Sequence, residues 1–102
     1  MILHCVLLDL RDEAGAELSD AMHRLTALVG VIPGMTAFRH GPNRDFEGLS
    51  QDYAYGFVVE FDNASDLTGY AEHPEHKAIG EVLVGLCAGG VAGIQVSDID
   101  VA

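Results

Sequence analysis

Apolar side chains fill almost every position of the first ten residues. Ile2, Val6 and Leu8 fall on one face together with His4, and Leu3, Cys5 and Leu7 fall on the other, which predicts a strand covered on both sides. Arg11-Asp12-Glu13-Ala14-Gly15 interrupts the pattern. From Glu17 to Gly30 the apolar residues Leu18, Met22, Leu25, Leu28 and Val29 recur every three or four positions, predicting an amphipathic helix with Glu17, Asp20, His23 and Arg24 turned to water. Ile32-Pro33-Gly34 ends it. A second strand is expected over Met35 to His40, stopped by Gly41-Pro42-Asn43 and followed by a polar loop, Arg44 to Gln51, that contains Phe46. The third strand, Tyr53 to Phe61, alternates Tyr55, Phe57, Val59 and Phe61 with Gly56, Val58 and Glu60. Asp62-Asn63-Ala64-Ser65 supplies capping side chains for a short helix over Ser65 to Ala71 that carries Leu67 and Tyr70. Pro74 starts another helix with Ile79, Val82, Leu83 and Leu86 on one side; its Gly80 and Gly85 weaken it or permit close packing. Gly89-Gly90 ends it, and a last strand over Val91 to Val101 alternates Ile94, Val96 and Asp98 with Gln95, Ser97 and Ile99.

The order β-α-β-β-α-β is the ferredoxin-like arrangement, an α+β fold with a four-stranded antiparallel sheet and helices on one face. At 102 residues the chain forms one domain, 1–102, with a thin core. The face away from the helices holds Leu3, Cys5, Leu7 and Val58. Since 49% of the residues are hydrophobic and the mean hydropathy is +0.23, this face is expected to pair with a second copy in a homodimer. A formal charge of −11, from 16 acidic and 5 basic residues, repels phosphate backbones and anionic bilayers, so neither nucleic acid nor a membrane is an expected partner. Cys5 and Cys87 have no CxxC spacing and read as small apolar side chains in a reducing cytoplasm. No apolar run reaches the ~20 residues of a membrane span, and the first residues lack the basic start of a signal peptide.

The chemistry concentrates in Tyr70-Ala71-Glu72-His73-Pro74-Glu75-His76, which sets a phenol and two imidazoles around a helix-starting proline. Imidazole is the side chain best suited to act as a general base near neutral pH. His76 falls at the third position of the helix begun by Pro74, where the positive end of the helix dipole disfavours imidazolium while Glu72 and Glu75 favour it. Tyr70 can donate to a developing enolate oxygen, and His4 or Asp98 can orient the imidazole from the sheet. The competing architectural reading has His73 and His76 cap the helix while Tyr70 plugs the gap between helix and sheet. A metal held by His73, His76 and His4 lacks a fourth ligand, and there is no phosphate-binding glycine loop or redox cysteine pair, so no metal and no cofactor are expected.

Taken in order, His4 in the apolar strand, Ile32-Pro33-Gly34, Gly41-Pro42-Asn43, the strand ending Glu60-Phe61 and Tyr70-x-x-His73-Pro74-x-His76 resemble the stress-responsive dimeric α/β-barrel family over nearly the whole chain. The resemblance implies two sheets packed face to face into a barrel. It also implies that Tyr70 and His76 occupy the places of the substrate-contacting tyrosine and histidine of a cofactor-free plant polyketide cyclase, with His4 lining the pocket. Asp98 is the candidate for that pocket's strand-four aspartate, in a chain longer between His76 and the last strand. Leu18, Met22 and Leu25 do not match the cyclase's aromatic wall. The expected site is therefore a pocket between helices and sheet with His76, Tyr70 and His4 as catalytic residues and Phe57, Val96, Asp98 and His73 as substrate contacts, able to bind a small aromatic or apolar ligand. The expected role is that of a stress-response barrel protein, with two enzymatic alternatives: a cofactor-free cyclase, lyase or isomerase acting on a β-keto or phenolic compound, or a cofactor-free monooxygenase.

Overall fold

In a computed structural model covering residues 1–102, β1 (Ile2–Leu8) lies in the middle of the sheet between β3 (Tyr55–Phe61) and β4 (Ile94–Asp100), with β2 (Met35–Pro42) beyond β3. Every neighbouring pair is antiparallel. α1 (Gly15–Thr26) joins β1 to β2, and α2 (Ala64–Glu72) and α3 (Pro74–Leu86) join β3 to β4, followed by a 3-10 turn at Gly90–Gly93. This is the ferredoxin-like β-α-β-β-α-β order, with its second helix divided at Pro74.

Alternation decides the two faces. Val6, Leu8, Phe57, Val59 and Phe61 turn to the helices and meet Leu18, Met22, Leu25, Tyr70, Ile79 and Leu83 in one buried core. Leu3, Cys5, Leu7 and Val58 turn the other way and stay half-buried with no layer over them. Leu7 leans across Gly56, where an added Cβ would come within 2.9 Å of its Cδ2. The apolar face anticipated for a second copy is therefore present.

Several boundaries differ from the pattern. α1 stops at Thr26 rather than Gly30, where the Thr26 hydroxyl bonds back to the Met22 carbonyl at 2.8 Å and the chain passes into turns. Leu28 still reaches the core. β4 begins at Ile94 rather than Val91, because Gly89 and Gly90 take positive φ and a 3-10 turn intervenes, leaving Val91 exposed. β3 begins at Tyr55 rather than Tyr53, since the Asn43 side chain holds the Tyr53 carbonyl at 2.8 Å within the β2–β3 loop. Arg24 does not face open water: its guanidinium holds Glu75 at 2.7 Å and ties α1 to the start of α3. Gly80 permits no close packing, as an added Cβ would meet nothing within 4 Å.

Candidate functional site

The site is built where α2 gives way to α3. Asn63 caps α2 by accepting from the Asp66 amide at 2.9 Å, and the helix ends at Glu72, with His73 extended between it and Pro74. His73 Nδ1 accepts the Glu75 amide at 3.1 Å, so this ring caps α3 and is not directed to a substrate. With Glu75 tied by its amide to His73 and by its carboxylate to Arg24, the next side chain, His76, leaves a firmly placed helix end.

His76 Nδ1 lies 3.2 Å from the Ala71 carbonyl oxygen. A carbonyl can only accept, so Nδ1 carries the proton and Nε2 keeps its lone pair. Burial lowers the His76 pKa, and the charges of His4 and His73 lower it further against the opposing pull of the Ala71 bond. The ring is thus held neutral mainly by desolvation rather than by the helix dipole. Neither Glu72 nor Glu75 enters, and Glu75 is already engaged by Arg24.

Tyr70 packs its ring 4.1 Å from that of His76, 5.0 Å from Phe61 and 5.8 Å, edge-on, from His4. It is 1% exposed, and its hydroxyl has no hydrogen-bond partner. Burial raises its pKa well above the usual phenol value, so the group remains a donor. His4 and Asp98 face each other across the β1–β4 pair, with Nδ1 donating to the carboxylate at 2.6 Å. Asp98 therefore orients His4, not His76.

Four of the expected site residues, His4, Tyr70, His76 and Asp98, come together. Val96 lies on the same face of β4, nearly half exposed. Phe57 lies instead in the filled core, its ring 5.3 Å from that of Phe38. No pocket lined by these side chains exists between helices and sheet; a groove of about 540 Å³ lies elsewhere along α3, between it and β4, lined by Lys77, Gly80, Glu81, Val84 and Ile94. Those residues were missed from sequence, although His76, Gly80 and Val84 are spaced four apart and so share a helical stripe. No group of three or more histidine, cysteine or acidic side chains is placed to hold a metal ion, so His73, His76 and His4 do not converge. Cys87 is buried, and burial together with Asp9 pushes its thiol pKa up, away from reactivity.

The family model described as the stress responsive A/B barrel domain matches residues 2–101. The chain belongs to that family. Among solved structures, a dimeric ferredoxin-like protein of unknown function from Jannaschia sp. CCS1 is 42% identical, with 98% of each chain covered and a TM-score of 0.92. An Arabidopsis thaliana protein is 22% identical, with 100% of this chain and 96% of that one covered and a TM-score of 0.85. The hydroxynitrile lyase of Passiflora edulis is 12% identical, with 99% and 93% covered and a TM-score of 0.82. The last two share the fold. No curated protein matches the sequence. Membership of the stress-responsive barrel family accounts for the fold and the bare sheet face, and it leaves the reaction open. No helix is long and apolar enough to cross a membrane.

Proposed function

We propose that this barrel protein catalyses a cofactor-free proton transfer on a carbonyl or phenolic compound, as a cyclase, lyase or isomerase. The observation that supports it is the Tyr70 hydroxyl, buried without a partner beside a neutral imidazole whose Nε2 is free to accept. An unpaired buried hydroxyl costs about 1–3 kcal/mol, and the oxygen of a substrate seated beside His76 is a natural acceptor for it. In this reading His76 Nε2 removes a proton from the carbon beside a carbonyl. The resulting enolate oxygen accepts a hydrogen bond from Tyr70. After the carbanion has attacked a second carbonyl, the imidazolium returns its proton to the alkoxide so formed; where a leaving group departs instead, the departing anion takes that proton. His4, held by Asp98, edges the Tyr70 ring and keeps it in place, and Val96 borders the substrate. His73 and Phe57 serve the scaffold.

The working unit in this proposal is a homodimer joined through the bare sheet faces, in line with the dimeric description of the 42% identical protein. The strong negative charge argues against nucleic acid, and two free cysteines suit the cytoplasm, where we place the protein.

Presenting β-keto and phenolic acids or thioesters, with and without oxygen, to the wild type and to His76→Ala tests the assignment. A general base predicts a loss of about 10²-fold or more in turnover with folding intact. Equal activity in His76→Ala removes the residue from the mechanism, and turnover that requires oxygen redirects the reading to a cofactor-free monooxygenase.

A further inference from the structure

The loop between β2 and β3 is fixed in place, yet it shows two large apolar side chains to solvent. Asn43 donates to the Tyr53 carbonyl at 2.8 Å and to the Ser50 hydroxyl at 2.9 Å, and Asp45 accepts from both the amide and the hydroxyl of Ser50. Within this frame Phe46 is 94% and Leu49 85% exposed, the highest values among the large hydrophobic side chains. Single exposed apolar residues are ordinary on a surface, but these two stand three positions apart in one loop. Ordering that loop costs conformational entropy, and its own chain recovers none of it by burying them.

The loop is continuous with the bare sheet face. Pro42 and Asn43 border both the loop surface and a depression of about 220 Å³ in that face, where Gly41 and Gly56 pair across β2 and β3 beside Leu7 and Val58. Cross-strand register puts only two charged residues, Arg39 and Glu60, on this face, and they hold each other at 3.6 Å. A chain of formal charge −11 thus keeps one surface without net charge, and a second, equally acidic copy meets little repulsion there. Four strands of seven or eight residues offer roughly 450 Å² in plan, whereas a stable interface takes about 800 Å² from each partner. The strands alone leave room for a further contact.

We propose that the β2–β3 loop is a second contact of the homodimer, with Phe46 and Leu49 buried against the partner copy. The contact presupposes the sheet-face dimer proposed above and extends it beyond the strands. A different protein seated on the loop would collide with the copy that covers the adjoining face. In a two-fold dimer each copy lends its loop to the other, so every substitution is felt twice.

The chain has no tryptophan, so Phe46→Trp reports from this position alone. At concentrations where sedimentation shows a dimer, the indole should be shielded from acrylamide, and dilution that separates the copies should expose it. Phe46→Ser combined with Leu49→Ser should weaken association by about 10²-fold or more and leave the circular dichroism of the monomer unchanged, since neither side chain is buried in the single chain. A dimer whose indole stays fully open to the quencher, or one that the two serines do not weaken, overturns the proposal. Leu7→Glu distinguishes the two readings. Association weakened by Leu7→Glu but not by the serines keeps the sheet-face dimer and removes the loop contact; association weakened by the serines but not by Leu7→Glu keeps the loop contact and moves the rest of the interface off the sheet face. A wild type that stays monomeric at every concentration removes both.

Discussion

β1 and β4 are adjacent strands of one sheet, and both place apolar residues on the helix side, yet they live in different surroundings. Val6 is 4% exposed and Leu8 is not exposed at all, whereas Val96, the direct cross-strand partner of Val6, is 49% exposed. The strands differ in what covers them. α1, α2 and α3 close over β1, β3 and the near part of β2, while β4 is left as one wall of a groove. An alternating pattern therefore marks a face that can be buried, and the arrangement of helices decides whether it is. The uncovered strand also carries Asp98, which holds His4 at 2.6 Å, and the His4 ring lies 5.8 Å from that of Tyr70, so the strand beyond the filled core supplies part of the candidate chemistry.

The largest effect should come from comparing truncations on the two strands. Leu8→Ala removes a fully buried side chain and should cost about 2–5 kcal/mol in urea unfolding, while Val96→Ala should fall within about 0.5 kcal/mol of wild type. Equal costs would mean that β4 is covered in solution. The opposite sheet face is probed by Leu7→Glu, which puts a charge into the proposed contact between copies and should weaken association by about 10²-fold or more in sedimentation experiments. A dimer unchanged by this substitution would place the contact elsewhere.

Smaller effects should mark the boundary between the filled core and the open groove. Tyr70→Phe removes the unpaired hydroxyl and should raise stability by about 1 kcal/mol even as it lowers any turnover that depends on the donor. A clear loss of stability would show that the hydroxyl has a partner. The His76 imidazole titrates below its ordinary value in the folded chain, so the unfolded chain binds more protons in that window. Its contribution to stability is therefore present above about pH 6.5 and is lost as the pH falls toward the lowered value. His76→Gln should flatten the slope of stability between pH 7.5 and 5 relative to wild type, as measured by denaturant midpoints; an unchanged slope would mean that burial does not disfavour the charged ring.

Much of this protein could be read from the chain itself. Periodicities of two and near 3.6 are local, so the element order, the split of the sheet into two apolar faces and the break at Pro74 all follow from neighbouring residues. The cluster of Tyr70, His76 and His4 was likewise visible as residue types, together with the candidate partner Asp98. Tertiary structure decided which of these side chains meet and what each one does. His73 and His76 are three residues apart and chemically alike, yet one caps α3 and the other presents a free Nε2, because the first lies on an extended residue before proline and the second faces the Ala71 carbonyl one turn back. Asp98 is 94 residues from His4 in sequence and 2.6 Å from it in space. The groove beside Lys77 appears in no stretch of sequence, since it is the space left between a helix and a strand that the helix layer does not cover, and the absence of a covering side chain is a property of packing alone.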